Sequence, residues 1–144
     1  MDSGYGCQHL NDEELLRGFE GCRLAPGSFH HGDHVRLAWI CVRRFGALGA
    51  EEFLIRGIRK MADNAGVSQK FLHTTTVAWV RLVAARLETI EGDLKFEDWI
   101  TRWPELLNKN YLNEYYSAET LASQEARSGW IEPDRKPLGG CGRR

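Results

Sequence analysis

Four of the five histidines in this chain fall in two short segments, and this clustering is the strongest chemical signal in the sequence. His31 and His34 stand three residues apart within FHHGDHVRLAW (29–39), a spacing that places both imidazoles on one face of a helix. The same spacing leads on to Ala38, so the two histidines begin an apolar stripe and are expected to point inward. His30 and His34, four residues apart, would share a face equally well, so the sequence leaves open whether His30 or His31 points inward. His73 begins a similar stripe in FLHTTTVAWVRLV.

These histidines are expected to meet at one end of a helical bundle. Short connections favour an up-down topology in which the helices carrying His31, His34 and His73 run parallel. Three neutral imidazoles suit a divalent transition metal (Fe, Zn, Cu, Ni or Mn), and an open fourth position supports hydrolytic or oxidative chemistry. Glu20 or Asp33 would complete the coordination or act as a base. The sequence therefore predicts a small metal-dependent enzyme that acts on a small organic molecule.

The same residues also permit chemistry without a metal. Imidazole titrates near neutrality, and a neighbouring carboxylate raises its basicity. A metal-free isomerase, dehydratase or cyclase, or a small-molecule-binding module, is therefore the alternative prediction. Thr76, or one of its neighbours Thr74 and Thr75, would direct a hydroxyl into the pocket unless it bonds back to the preceding turn. Some of the aromatic side chains would line the same pocket.

The elements that position these residues are all predicted to be helices, because the apolar residues recur with helical spacing and nothing alternates with period two for long. Asn11 and Ser117 are good helix caps, and Gly46 and Gly66 are good helix ends. The expected helices cover 12–20, 31–45, 51–65 and about 69–90, followed by shorter ones at 96–103, 104–116 and after Ser117. We expect an all-α single domain (1–144): a bundle of four main helices with a shorter helical C-terminal layer and an extended tail, 1–10 and 131–144 being irregular.

Composition narrows the classes of function. The 144 residues fit one domain that buries much of its surface, and a net charge of −1 gives no field to attract nucleic acid. The four cysteines lack a C-x-x-C pair and are expected to be free thiols in a reducing compartment. No apolar run suggests a signal or a membrane span, so a cytoplasmic protein without membrane partners is expected. The sequence leaves open whether the chain forms a homo-oligomer.

Three segments, FHHGDHVRLAW, HTTTVAW and EARSGWIEPD, resemble a group of small, uncharacterised bacterial proteins with an all-α fold. The resemblance spans most of the chain. It implies that the histidine segments and the motif formed by Trp130, Glu132, Pro133 and Asp134 belong to one architecture, and it implies no particular activity. A phosphate-binding loop, a nucleophile elbow and a dinucleotide fingerprint are all missing from the sequence, which argues against kinase, α/β-hydrolase and Rossmann functions.

Overall fold

The computed structural model describes residues 7, 10–22, 24, 29–87 and 94–138. Within these ranges the regular structure is helical and no strand occurs, which confirms the all-α prediction. The α-helices are α1 (Asp12–Glu20), α2 (His31–Asn64), α3 (His73–Leu87), α4 (Phe96–Ile100), α5 (Ala118–Ala122) and α6 (Gln124–Ser128). Short 3-10 segments occupy Ser68–Lys70, Pro104–Leu107 and Lys109–Glu114.

Helix α2 is broken at Gly46, where the backbone takes a φ of +79° and a ψ of 171°. This left-handed conformation is readily adopted only by glycine. The two halves of α2 fold back on each other, because Ala38 in the first half and Leu54 and Ile58 in the second line one cavity. The predicted break at Gly46 is therefore confirmed, but the second half resumes directly after the glycine and not at Glu51.

Helix α1 is fixed at its N-terminal end by a capping box and by a buried arginine. The backbone N–H of Glu14 donates to Asn11 Oδ1 at 2.8 Å, and the N–H of Asn11 donates back to the Glu14 carboxylate at 2.9 Å, as the sequence predicts. Arg36 of α2 donates to Asp12 at 2.9 Å and to the Leu10 carbonyl at 2.7 Å. These bonds attach the start of α1 to the first half of α2.

Helix α3 begins later than the sequence suggests. The predicted start near Gln69 lies in a 3-10 turn, and the α-helix begins at His73. Ser68 lies in this turn and donates its hydroxyl proton to Asp63 of α2. The predicted end at Ile90 falls outside the described residues, where α3 is followed to Leu87.

The helices of the C-terminal layer are shorter than predicted. The helix expected over 96–103 is α4, which ends at Ile100, and the helix expected over 104–116 is replaced by two 3-10 segments. Pro104 begins the first of these segments. Ser117 caps α5 as predicted, since its Oγ accepts the backbone N–H of Thr120 at 3.2 Å.

The chain after α6 runs extended and is held against the helices by specific bonds. The Tyr116 hydroxyl donates to the Ile131 carbonyl at 2.7 Å, and Asp134 accepts the backbone N–H of Ser117 at 2.9 Å. The core beneath holds fully buried side chains from every layer, among them Phe19, Leu37, Leu82, Trp99 and Tyr116. In the described part of the chain, no helix combines the length and apolar character needed to cross a membrane.

Candidate functional site

A cavity of about 190 Å³ lies between the two halves of α2 and the N-terminal part of α3. Its volume slightly exceeds the roughly 150 Å³ of an apolar cavity that accepts benzene, so it suits a molecule built on one aromatic ring. Its wall contains two imidazoles and two hydroxyls among apolar side chains, and none of the described residues that line it is acidic, Lys or Arg. The lining residues are His31, His34, Ala38, Leu54, Ile58, Leu72, Thr75, Thr76, Trp79 and Val80.

His31 is held in one tautomer by the C-terminal layer. Its Nε2 lies 2.9 Å from the carbonyl oxygen of Leu106, and because a carbonyl can only accept, Nε2 carries the proton. The ring stands edge-on to Trp79 with 4.6 Å between the centroids. Burial lowers the pKa of His31, while the bond to Leu106 opposes that shift. His31 is therefore neutral at pH 7, with Nδ1 as an acceptor.

His34 is the polar side chain with the fewest internal commitments. Its ring packs against Phe29 with 4.3 Å between centroids, and it makes no hydrogen bond to any described residue. Its nitrogens are not sealed in the core, because the ring forms part of the cavity wall. Burial lowers its pKa to about 4, the nearby His31 adds to this shift, and Asp33 opposes it. His34 therefore presents one donor and one acceptor at neutral pH.

Asp33 is turned away from the cavity and towards the backbone. Its carboxylate accepts the N–H of Cys7 at 3.0 Å and the N–H of His30 at 2.8 Å, and the residue is fully buried. The second of these bonds closes a capping box at the start of α2. Asp33 thus organises the segment that carries the histidines and does not belong to the cavity wall.

Glu20 is likewise absent from the wall, since it is exposed at the end of α1. The end of α1 does reach the histidine segment, through Phe19. The buried ring of Phe19 stacks on Phe29 at 6.0 Å, and Phe29 contacts His34. Glu20, the residue that follows Phe19, is exposed to solvent.

His73 does not join His31 and His34 on the wall of the cavity. It is the first residue of α3, and its ring stands edge-on to Phe71 at 6.2 Å. The preceding residue, Leu72, takes the place on the wall. Burial and the charge of Arg59 lower the pKa of His73.

The three threonines of α3 have three different roles. Thr74 is fully buried, donates to the Gly129 carbonyl at 2.6 Å and accepts the N–H of Ile131 at 3.0 Å. Thr76 donates back to the Leu72 carbonyl at 2.9 Å. Thr75 lines the cavity beside Thr76 and makes no hydrogen bond to a described residue.

Metal-binding potential is limited in the described part of the chain. No group of three or more His, Cys, Asp or Glu side chains there is arranged to hold an ion. Among the described residues of the cavity wall, His31 and His34 are the two side chains of a metal-ligating type. Cys22 and Cys41 are free thiols, and burial raises the pKa of Cys41 to about 12, whereas Cys141 lies outside the described residues.

Comparisons of the chain with protein-family models, with curated proteins and with solved structures find no match. The resemblance of the three segments to uncharacterised bacterial proteins stays a prediction.

Proposed function

We propose that this chain binds a small organic molecule, about the size of one aromatic ring, in the cavity, and that His34 exchanges a proton with it. The observation that supports this proposal most directly is a neutral imidazole with no internal hydrogen bond on the wall of a largely apolar cavity. Small-molecule sites typically combine an apolar lining with a few polar groups that fix orientation. The metal-free alternative from the sequence is thus the function that this geometry favours.

Neutral His34 has the two sites that proton transfer needs. Its unprotonated nitrogen accepts a proton from one atom of the ligand, and a ring N–H returns a proton to another atom. The imidazole is then neutral again with its proton on the other nitrogen, and exchange of one proton with solvent restores the first tautomer, so the net change falls on the bound molecule. Isomerase and cyclase reactions have this form, and in a dehydratase the returned proton leaves with the departing hydroxyl as water. The burial that lowers the pKa of His34 keeps its acceptor form populated at pH 7.

The binding step is tested with fluorobenzene as the probe. We expect saturable binding in ¹⁹F NMR of the probe. In spectra of the protein, the NMR signals of the Trp79 indole and of both cavity imidazoles should shift. Ala38→Phe should abolish binding because Ala38 is buried on the wall and the new ring fills the space. Ala122→Phe, on the exposed surface of α5, is the matched control and should bind as the wild type does. Absence of saturable binding, or equal binding by both variants, would contradict the proposal.

A metal ion held by His31 and His34 is the second candidate. It is favoured by the bond from His31 Nε2 to the Leu106 carbonyl, because ligating histidines usually donate their other ring N–H to a carbonyl or carboxylate. Nδ1 of His31 and one nitrogen of His34 would be the protein ligands. Two imidazoles are one fewer than the usual catalytic zinc set, so water or substrate would supply the rest.

Elemental analysis of untagged protein, after exposure to Fe, Zn, Cu, Ni and Mn, tests this candidate. Metal that is lost in His34→Ala and retained in His73→Ala would support a two-histidine site in the cavity. Loss in both variants would support the three-histidine site predicted from the sequence. Wild-type protein that retains no ion would remove the metal candidate and leave the proton-transfer proposal.

A further inference from the structure

We infer that the ligand of this cavity is an uncharged, single-ring molecule that carries a hydroxyl or ring N–H, and that this donor is directed at His34. The inference rests on the proposed function of the cavity as a small-molecule site. It follows from which groups on the wall are already engaged and which are not.

The absence of a formal charge in the ligand follows from the wall. In the part of the chain that the structure describes, ten residues line the cavity, and none of these is Asp, Glu, Lys or Arg. A bound anion would need a cationic partner, and the described wall supplies neither Lys nor Arg. A bound cation would need a carboxylate, and the nearest in sequence, Asp33, is committed to backbone N–H groups. Burial of an unpaired charge is costly, so a neutral ligand is selected.

The requirement that the ligand carries a hydrogen-bond donor follows from the protons on the cavity wall that already donate to backbone carbonyls. His31 donates its Nε2 proton to the Leu106 carbonyl, and its Nδ1 remains available as an acceptor. Thr76 donates its hydroxyl proton to the Leu72 carbonyl, and its oxygen can still accept a hydrogen bond. His34 and Thr75 each keep one donor and at least one acceptor. Acceptors therefore outnumber donors on the wall, and a ligand that brings a hydrogen-bond donor corrects the imbalance.

The single ring of the ligand follows from the volume of the cavity and from its apolar lining. The cavity holds about 190 Å³, and its polar groups occupy the part contributed by the start of α2 and of α3. Leu54, Ile58 and Trp79 supply apolar surface for the body of a ring. A phenol-like or azole-like molecule meets all three conditions.

The test compares four probes of related shape at pH 7 by ¹⁹F NMR. 4-Fluorophenol should bind about fivefold or more tightly than fluorobenzene, the value of one hydrogen bond to an otherwise unmatched acceptor. 4-Fluoroanisole, which has the oxygen without the proton, should gain nothing over fluorobenzene. 4-Fluorobenzoate should bind at least tenfold more weakly than 4-fluorophenol because it is an anion.

Two variants locate the acceptor. His34→Leu replaces the imidazole with an apolar side chain of similar size, so this variant should no longer bind 4-fluorophenol more tightly than fluorobenzene. Thr75→Val is the matched control, since it removes the other uncommitted polar group, and it should keep that preference. A further measurement needs no substitution: 4-fluorophenol, and not fluorobenzene, should shift the ¹⁵N signal of the unprotonated nitrogen of wild-type His34.

The outcomes separate this inference from the function on which it rests. Equal affinity for fluorobenzene and 4-fluorophenol would overturn the donor requirement while the cavity stays a binding site. Tight binding of 4-fluorobenzoate would overturn the requirement for a neutral ligand. A preference lost in Thr75→Val and kept in His34→Leu would overturn the role of His34. No saturable binding of any probe would overturn the proposed function itself.

Discussion

The Nε2 atom of His31 lies 2.9 Å from the carbonyl oxygen of Leu106, which joins the start of α2 to a residue 75 positions later in the chain. This bond decides which nitrogen of a cavity imidazole carries the proton. We therefore expect long-range ¹H–¹⁵N spectra at pH 7 to show His31 protonated at Nε2 and unprotonated at Nδ1. The opposite tautomer would contradict the geometry of the C-terminal layer.

The low pKa of His34 makes stability depend on pH. The pKa is about 4 in the folded chain and 6.5 for an ordinary histidine, so below pH 6.5 the unfolded chain binds a proton that the folded chain does not. This contribution to the free energy of unfolding is complete above pH 6.5 and is lost as the pH falls towards 4. Its size is at most about 3 kcal/mol. Urea denaturation at pH 7.5 and 4.5 should show a smaller loss in His34→Leu than in the wild type; equal losses would contradict the shift.

The buried hydroxyl of Thr74 should be important for stability, whereas that of Thr76 should not. Thr74→Val leaves the Gly129 carbonyl and the Ile131 N–H without their partner, at a cost of about 2–4 kcal/mol. Thr76→Val is the matched control, because its hydroxyl donates locally to the carbonyl of Leu72, four residues earlier, and a change of less than about 0.5 kcal/mol is expected. Urea denaturation measures both. Equal effects of the two substitutions would argue against the tether between α3 and the chain after α6.

Gly57 is required by a close approach and not by its backbone conformation. A Cβ atom there would collide with the ring of Phe19, which is buried between Phe29 and Phe53. An ordinary helical Gly→Ala change stabilises by about 1 kcal/mol, but Gly57→Ala should destabilise by about 2 kcal/mol or more. The same change made together with Phe19→Leu should cost clearly less than it does alone, when each is measured by urea denaturation against its own parent. Additive effects would show that the two residues do not collide.

Two adjacent residues at the start of α3 should differ in their effect on binding. Leu72 lines the cavity and His73 does not. Leu72→Ala should therefore change fluorobenzene affinity severalfold, whereas His73→Ala should leave it within twofold of the wild type, as measured by ¹⁹F titration. A strong effect of His73→Ala would return this residue to the site and would favour the three-histidine arrangement.

Local signals in the sequence predict much of the fold. The capping box at Asn11, the glycine at position 46 and the cap at Ser117 each act over a few residues, so their roles could be predicted without tertiary information. Helical spacing also indicated that His31 and His34 share a face, and both line the cavity. The lengths of the C-terminal helices were overestimated because periodicity does not distinguish an α-helix from short 3-10 turns.

The site was predicted less well because its details depend on register and on distant backbone. A shift of one residue at the start of α3 exchanges Leu72 for His73, and the helical period alone does not exclude that shift. Asp33 is adjacent to the histidines in sequence, yet its carboxylate meets backbone N–H groups that no motif reveals. The Leu106 carbonyl belongs to the main chain, so side-chain chemistry gives no sign of it.

The break at Gly46 also has a consequence for the order in which the chain folds. Because α2 doubles back there, the ten described residues of the cavity wall come from a stretch between positions 31 and 80. Contacts at short sequence separation form quickly, so this helical hairpin and α3 should assemble before the C-terminal layer docks. The Leu106 bond, which spans 75 residues, would then select the His31 tautomer as a late event. Pulsed hydrogen exchange should find the amides of α2 and α3 protected before those of α5 and α6; the reverse order would contradict this sequence of events.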